Sequence, residues 1–506
     1  MALGSELISR ITGYSLTGAD FSETSPNLPI RIALLGEANT ANQGTLETTP
    51  QRITSAQQAG ELYGFGSPIH AMARILFPVN GGGFIGGIPV DVLAQEEPVG
   101  AAEKILTITA SGVATGNGTH TLYLAGRTGI DGQFYDINVQ TGDTAADIAD
   151  KIETAVNNVL GAPVTAAAAV YDCVLTSKWK GLTADELTVE VLTNGSALGL
   201  TYSVANTQSG SGTPSIQGAL DQFDNIWYNL VINGYGLQTS TLTLLENFNG
   251  KPGANATTPG TGRYAASVFK PFVALSGSTA DDPTTVTDAR LNEVTVAVCP
   301  APLSKGLTYE AAANFCALAA RTAQDNPHLD IGGSSLPDMP TPRDGNIGSM
   351  KSYTNRDAFV KEGCSTVQLV DGAYQVEDFV TTYHPTGELP PQYRYVRNLL
   401  LDYNVRYTYL LLELQNVVGY VIANDNDTVS APRVTKPKIW KGVLFGMFDD
   451  LVNRGLIVDA AFARTNLTVQ ISSTNPDRFE TQFKYKRSGV ARISDTIATA
   501  GFNFGN

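Results

Sequence analysis

Few side chains in this sequence have the chemistry for acid–base or nucleophilic work. There are four histidines, His70, His120, His328 and His384, far apart in the chain. A serine hydrolase needs a base, an acid to orient it and a nucleophile on a tight Gly-flanked turn, and the chain contains no G-x-S-x-G. Cys173, Cys299, Cys316 and Cys364 form no C-x-x-C pair and read as buried thiols. Gly81–Gly87 has a phosphate-loop flavour but neither the G-K-[ST] nor the G-x-G-x-x-G order, so a tight loop is expected. Asn424-Asp425-Asn426-Asp427 opens like a calcium loop. Val429 and Ser430 then stand where that pattern needs an oxygen ligand and a glycine, so a solvated turn is expected. Tyr393, Tyr395, Tyr403, Tyr407 and Tyr409 could form a sugar platform; at helical spacing they read as packing between helices or subunits. No cofactor and no metal is expected.

Asn117-Gly118-Thr119-His120 resembles the H-G-T-H motif around the catalytic histidine of subtilisin-family proteases, with Asn117 in place of that histidine. An amide cannot act as a general base, and no G-T-S-M-A nucleophile motif follows. The chain is therefore expected not to be an enzyme, a degenerate subtilisin-fold hydrolase being the remote alternative.

The elements that would carry any site point to a large, low-charge protein. A chain of 506 residues corresponds to about three domains. Only 16% of residues are charged, against roughly 25% in ordinary soluble proteins, and 50 are glycine. The net charge of −15 argues against a nucleic-acid wrapper, which needs clustered Lys and Arg. The start, Met1-Ala2-Leu3-Gly4-Ser5-Glu6, lacks the basic and apolar regions of a signal peptide. Leu399–Leu401 and Leu410–Leu412 are interrupted by Asp402, Asn404 and Arg406, so no bilayer span is expected and the cytosol is the expected compartment.

Along the chain, residues 1–27 carry scattered apolar positions, Leu3, Leu7, Ile8, Ile11 and Tyr14, too few to fold alone, and read as an arm. An α/β pattern starts at Leu28, with a strand at Ile30–Gly36, helices at 54–63 and 68–77, and a strand at Ile88–Leu93. Residues 99–215 are β-rich with one helix, capped by Asp143 or Thr144, and leave through Ser209–Pro214, a flexible linker by composition. That block reads as an inserted outer domain; 28–98 and 216–386 form the interrupted core. The α/β pattern resumes with strands at Tyr228–Ile232, Val268–Leu275 and Val294–Val298 and a helix at Tyr309–Thr322. A large loop is expected at 326–350. Residues 387–487 read as a C-terminal α+β domain, with helices within Leu389–Tyr420 and at Ile439–Asn453 and strands at Leu467–Ile471 and Phe479–Tyr485. Residues 488–506, with Ile493, Ile497, Phe502 and Phe504, form a second arm. Charge is uneven: residues 386–506 hold 14 Lys and Arg against 11 Asp and Glu, whereas 99–214 hold 5 against 11. Lys436, Lys438 and Lys441 cluster in the basic part.

Ile53-Thr54-Ser55-Ala56-Gln57-Gln58-Ala59, followed by Leu62, Gly64, Gly66, Ser67 and Met72, resembles the tail sheath proteins of Mu-like contractile-tailed bacteriophages. So do Gly142–Ala149 leading to Ala162–Ala166, and Val380-Thr381-Thr382-Tyr383 before Tyr395-Val396-Arg397. The resemblance runs from about residue 28 to 485 and departs at Ile85 and Pro89. It implies a subtilisin-like α/β core without its triad, an inserted β-rich domain, and a C-terminal domain facing a tail tube. For that face the charge cluster Lys436, Lys438 and Lys441 supplies the candidate contacts, an ordinary solvated helix face being the alternative. It further implies stacked hexameric rings joined by both arms, in which strands are added to neighbouring sheets. Implied partners are further copies, a tail tube protein, and baseplate and tail terminator proteins, with no direct nucleic acid and no membrane insertion. The implied setting is the virion tail, assembled in the host bacterial cytoplasm. A phage-derived bacteriocin or type VI-like injection machine shares this logic.

Overall fold

The computed structural model describes residues 26–47, 49–78, 85–255, 257–388 and 391–500. Leu3, Leu7, Ile8, Ile11, Tyr14, Phe502, Phe504 and Gly81–Gly83 lie outside these residues. The chain forms two compact units: Leu28–Tyr407 with the chain from Arg487 onward, and Thr408–Lys486 with Asn27.

The larger unit is mixed α/β. Its six-stranded sheet runs, edge to edge, Val296–Pro300, Val273–Ser278, Leu230–Asn233, β1 (Ile32–Glu37), β3 (Val90–Gln95) and β2 (Gln51–Ile53). All neighbours are parallel except β2, which is antiparallel to β3. A parallel sheet covered on both faces needs strands that are apolar throughout, and every residue of β1 is buried. Side-chain alternation divides the two cores. Ile32, Leu34, Val90, Val92, Leu230 and Ile232 belong to one; Ala33, Leu35, Leu93, Val231 and Ala274 join Phe223, Leu245 and Phe272 in the other.

Local signals set the helices. Ser55 accepts from Gln58 N to start α1 (Ala56–Tyr63), and Ser67 accepts from His70 N to start α2 (Pro68–Leu76), which has Pro at its first turn. The helix Thr308–Asp325 buries Ala311, Ala312, Ala313, Ala317, Ala319 and Ala320. These small side chains let it lie so close to the sheet that a Cβ on Gly277 would stand 1.7 Å from the Thr308 carbonyl oxygen. No helix or strand occurs between Asp325 and Gly348, where a loop is expected.

Residues 103–208 build two larger antiparallel sheets and a short two-stranded one, Gly129–Ile130 with Gln133–Phe134. One is ordered Leu200–Gln208, Glu103–Gly112, Asp172–Lys180, Val164–Ala169; the other Val189–Leu192, Gly118–Leu124, Asp136–Val139. The single long helix here, α3 (Ala145–Asn157), starts from a capping box in which Thr144 and Asp147 bond reciprocally, and buries Ile148, Ile152, Ala155 and Val156. Asp143 takes a different task, pairing with Lys151.

The smaller unit centres on the helix Pro437–Asn453, which buries Trp440, Leu444, Met447, Phe448 and Leu451, and on the hairpin Thr468–Ile471 with Phe479–Gln482. Tyr409 packs on Trp440 and Phe483. The division between units falls inside the helix Val396–Asn416 rather than at residue 387. The reason is that Leu399, Leu400 and Tyr403 belong to the larger core, where the Tyr403 hydroxyl lies 2.9 Å from that of Tyr264.

Candidate functional site

In a parallel α/β sheet the natural ligand crevice lies at the C-terminal strand ends where the strand order reverses. Here that point is β1, which has β3 on one side and Leu230–Asn233 on the other. Glu37 ends β1, Gln95 ends β3, and Tyr235 follows the third strand. Tyr235 donates to Gln95 Oε1 at 2.6 Å.

The crevice is filled from within. The short helix α4 (Leu182–Asp185) of the β-rich block sends Thr183 onto Glu37, donating to its Oε2, while Trp179 Nε1 donates to Thr183 Oγ1 at 2.9 Å. Burial, opposed by the Thr183 bond and reinforced by Glu97 and Glu186, pushes the Glu37 carboxyl up to about 8. Gly181 passes at φ +129°, and a Cβ there would meet Glu37 Oε1 at 2.7 Å.

Three more contacts lock the block to the core. Glu186 accepts from Thr308 N at 2.9 Å and Thr308 Oγ1 at 2.8 Å, capping the long helix. Burial raises this carboxyl to about 7 against the pull of those bonds. Arg127 donates to Glu310 Oε2 at 2.9 Å and to the Asp338 carbonyl at 3.0 Å. Burial would lower Arg127, but Glu310 and Asp338 outweigh it and hold the guanidinium charged. Ser209–Pro214, a flexible exit by composition, is a tied strap instead. Gly210 N donates to Asp185 Oδ1 at 3.1 Å, and Ser211 pairs with Ala102. Glycine is required there because a Cβ on Gly210 would stand 2.4 Å from the Gly181 carbonyl. A cleft of about 610 Å³ remains along this seam, where Arg343 pairs with Glu190 at 3.3 Å and lies over the Tyr123 ring.

The imidazoles of His70, His120 and His384 are separately engaged. His70 Nδ1 accepts from Gly66 N, and burial, with Arg74 beside it, lowers the ring to about 4. His120 lies 2.6 Å from the Tyr202 hydroxyl and 2.9 Å from the Ser196 carbonyl. His384 contacts the Thr382 carbonyl, and the His328 carbonyl accepts from Arg397. Asn117 Oδ1 accepts from Thr141 N at 2.7 Å. Among the described residues no group of His, Cys, Asp and Glu has the arrangement of a metal site. Among them, too, no helix is long and apolar enough to cross a membrane.

Lys436 and Lys438 turn onto the acidic loop beside them. The Lys436 ammonium donates to the Asp427 carbonyl, and Lys438 Nζ donates to the Asp425 carbonyl at 2.6 Å. Lys441 lies over the Phe445 ring, 5.9 Å from its centroid. The Asn424–Asp427 turn is thus closed by ammonium groups of the same unit.

The C-terminal arm has a fixed beginning, which the sequence reading missed. Arg487 grips Asp402 with Nε at 2.8 Å and Nη2 at 2.5 Å, and Arg397 donates to Ser488. Arg492 reaches Asp330 and, at 2.6 Å, Asp378, with its guanidinium 3.9 Å from the Tyr395 ring centroid. Beyond it Ile493 and Ile497 are 88% and 90% exposed. An arginine pair in an acidic chain was the available signal.

No family model matches the chain. It is 25% identical over 434 residues to the Mu-like prophage FluMu tail sheath protein of Haemophilus influenzae, covering 84% of each. Among solved structures it is similar to the sheath tail protein of Desulfitobacterium hafniense, at 11% identity and TM-score 0.43, over 94% of this chain and 100% of that one. It is also similar to a chain in the cryo-EM structure of the anti-feeding prophage baseplate, at 11% identity and TM-score 0.45, over 98% and 100%.

Proposed function

We propose, starting from homology to a Mu-like tail sheath protein, that this chain is a structural subunit of a contractile phage tail sheath. The observation that carries the reading is the similarity to that protein over 84% of both chains, rather than over one shared domain. In this reading subunits polymerise as stacked hexameric rings around the tail tube. Contraction, triggered from the baseplate, drives the tube through the host envelope. The α/β core is subtilisin-like in fold without the triad, and its strand-end crevice, filled by Thr183 and Trp179, serves a structural role. Residues 99–215 form the outer domain and the smaller unit faces the tube. The partners are further copies, the tube, the baseplate and the tail terminator; the protein resides in the virion tail after assembly in the host cytoplasm.

Exposed Ile493 and Ile497, in the stretch Ser488–Ala500 that has no helix or strand, support an inter-subunit arm, since strand addition needs backbone and a few apolar anchors. Negative-stain microscopy of the purified protein tests the reading. Tubes or stacked rings are expected from the full chain, and folded monomers from a chain ending at Arg487. Normal tubes from the shortened chain would overturn the role of the arm, and compact monomers from the full chain under all assembly conditions would overturn the sheath reading.

A further inference from the structure

The C-terminal arm is expected as one linker from residue 488, yet Arg487, Ser488 and Arg492 are tied to the larger unit, with Gly489–Ala491 exposed between them. Up to Arg492 it is laced to the larger unit by three guanidinium groups. Arg487 forks onto Asp402 and also donates to the Gln392 carbonyl at 3.0 Å, over the Tyr393 ring. Arg397, itself fixed by the His328 carbonyl at 3.0 Å, holds Ser488. Arg492 bridges Asp330 and Asp378 on top of Tyr395, and the three charged side chains are only 21%, 7% and 26% exposed. Forked, partly desolvated arginine–carboxylate pairs stacked on an aromatic ring resist screening better than open surface pairs. No residue from Ser488 through Ala500 is in a helix or strand; beyond Arg492 no bond ties the described chain to the unit, and Ile493 and Ile497 stand in water.

We propose that Arg487–Arg492 is a fixed root seated on its own subunit, in a site formed by Asp402, Asp330, Asp378 and Tyr395, and that the chain from Ile493 is the reach a second copy receives. The identity of that recipient rests on the sheath reading; the root does not. The 14 residues from Ile493 to Asn506 span at most roughly 45–50 Å when extended, enough to cross to a neighbouring subunit. A root also raises the concentration at which the reach meets its acceptor, because linked encounters depend on where the linker starts. Anchored this way, the connection between copies bends at residues 492–493.

Spin labels at Gly489→Cys and Ile497→Cys test this, one at a time. The native cysteines are all buried and a side chain at Gly489 meets nothing within 4 Å. In the monomer the label at 489 should tumble roughly tenfold more slowly than the label at 497. Adding Arg487→Gln with Arg492→Gln should free 489 and leave 497 unchanged, while Arg492→Lys should free it partly. On assembly 497 should become immobile and 489 stay so. The root is overturned if 489 is as mobile as 497 in the monomer, if the double substitution leaves 489 immobile, or if assembly releases it. Failure to polymerise would count against the sheath reading alone, since the monomer spectra decide the root.

Discussion

Glu37 is the residue whose chemistry is most displaced from the ordinary. Its carboxyl sits at about 8 in the fold against 4.5 normally, burial being the main cause. Between those values the folded protein keeps a proton that the unfolded chain gives up. The stability this group contributes is therefore complete below about pH 4.5 and is lost as pH rises through 8. Glu186, raised to about 7, acts in the same direction. Denaturation midpoints should fall between pH 5 and 8, and Glu37→Gln, which keeps a Thr183 partner without a charge, should flatten the curve. An unchanged curve would show that the Glu37 proton is not linked to folding. Gly277 makes a second prediction at this scale. With the Thr308 carbonyl 1.7 Å from any added Cβ, Gly277→Ala must push the long helix off the sheet. A loss of about 3 kcal/mol is expected from denaturant melts, the upper part of the usual range for overpacking.

At the scale of elements, the β-rich block is joined to the core by a seam rather than by two loose strands of chain. Arg127 and Glu310 are 12% and 5% exposed, so deleting one partner leaves the other buried and unpaired. Arg127→Met should cost about 3–5 kcal/mol, whereas Arg343→Met, whose pair with Glu190 is exposed at 54% and 61%, should change little. Comparing the two by chemical denaturation checks the seam. Limited proteolysis gives an independent measure: the Ser209–Pro214 strap should resist cleavage in the native protein and yield in Arg127→Met. Rapid cutting of the native strap would contradict its bonds to Asp185 and Ala102.

For the molecule as a whole, the sheath reading makes charge a matter between copies and tube. Lys436 and Lys438 are committed to the Asp425–Asp427 turn, so reversing all three lysines would disturb the turn as well as any tube contact. Lys441→Glu alone is the cleaner variant. Tube-dependent assembly should weaken, and more so at low ionic strength, where a longer screening length lets the charge act at a distance. Light scattering at two salt concentrations reads this out, and equal assembly at both would remove Lys441 from the tube-facing surface.

Periodicity and caps were legible because they are local. The run Ile30–Gly36 announced a buried strand, Ser55, Ser67 and Thr144 announced helix starts, and the apolar stripe from Ile148 to Val156 announced α3. The change of pattern near residue 99 and the absence of a workable triad motif were equally local. The sequence by itself thus determined the element types, the interrupted α/β pattern and the family it resembles. Long-range pairing was invisible there. Thr183 meets Glu37 across 146 residues, Arg127 meets Glu310 across 183, and Arg492 meets Asp330 across 162. No spacing rule encodes such partners, because their distance is set by how sheets and helices pack. For that reason only the tertiary structure decided that the crevice at the strand ends is filled, that a glycine-rich exit is a tied strap, and that Arg487 and Arg492 are tied to Asp402, Asp330 and Asp378.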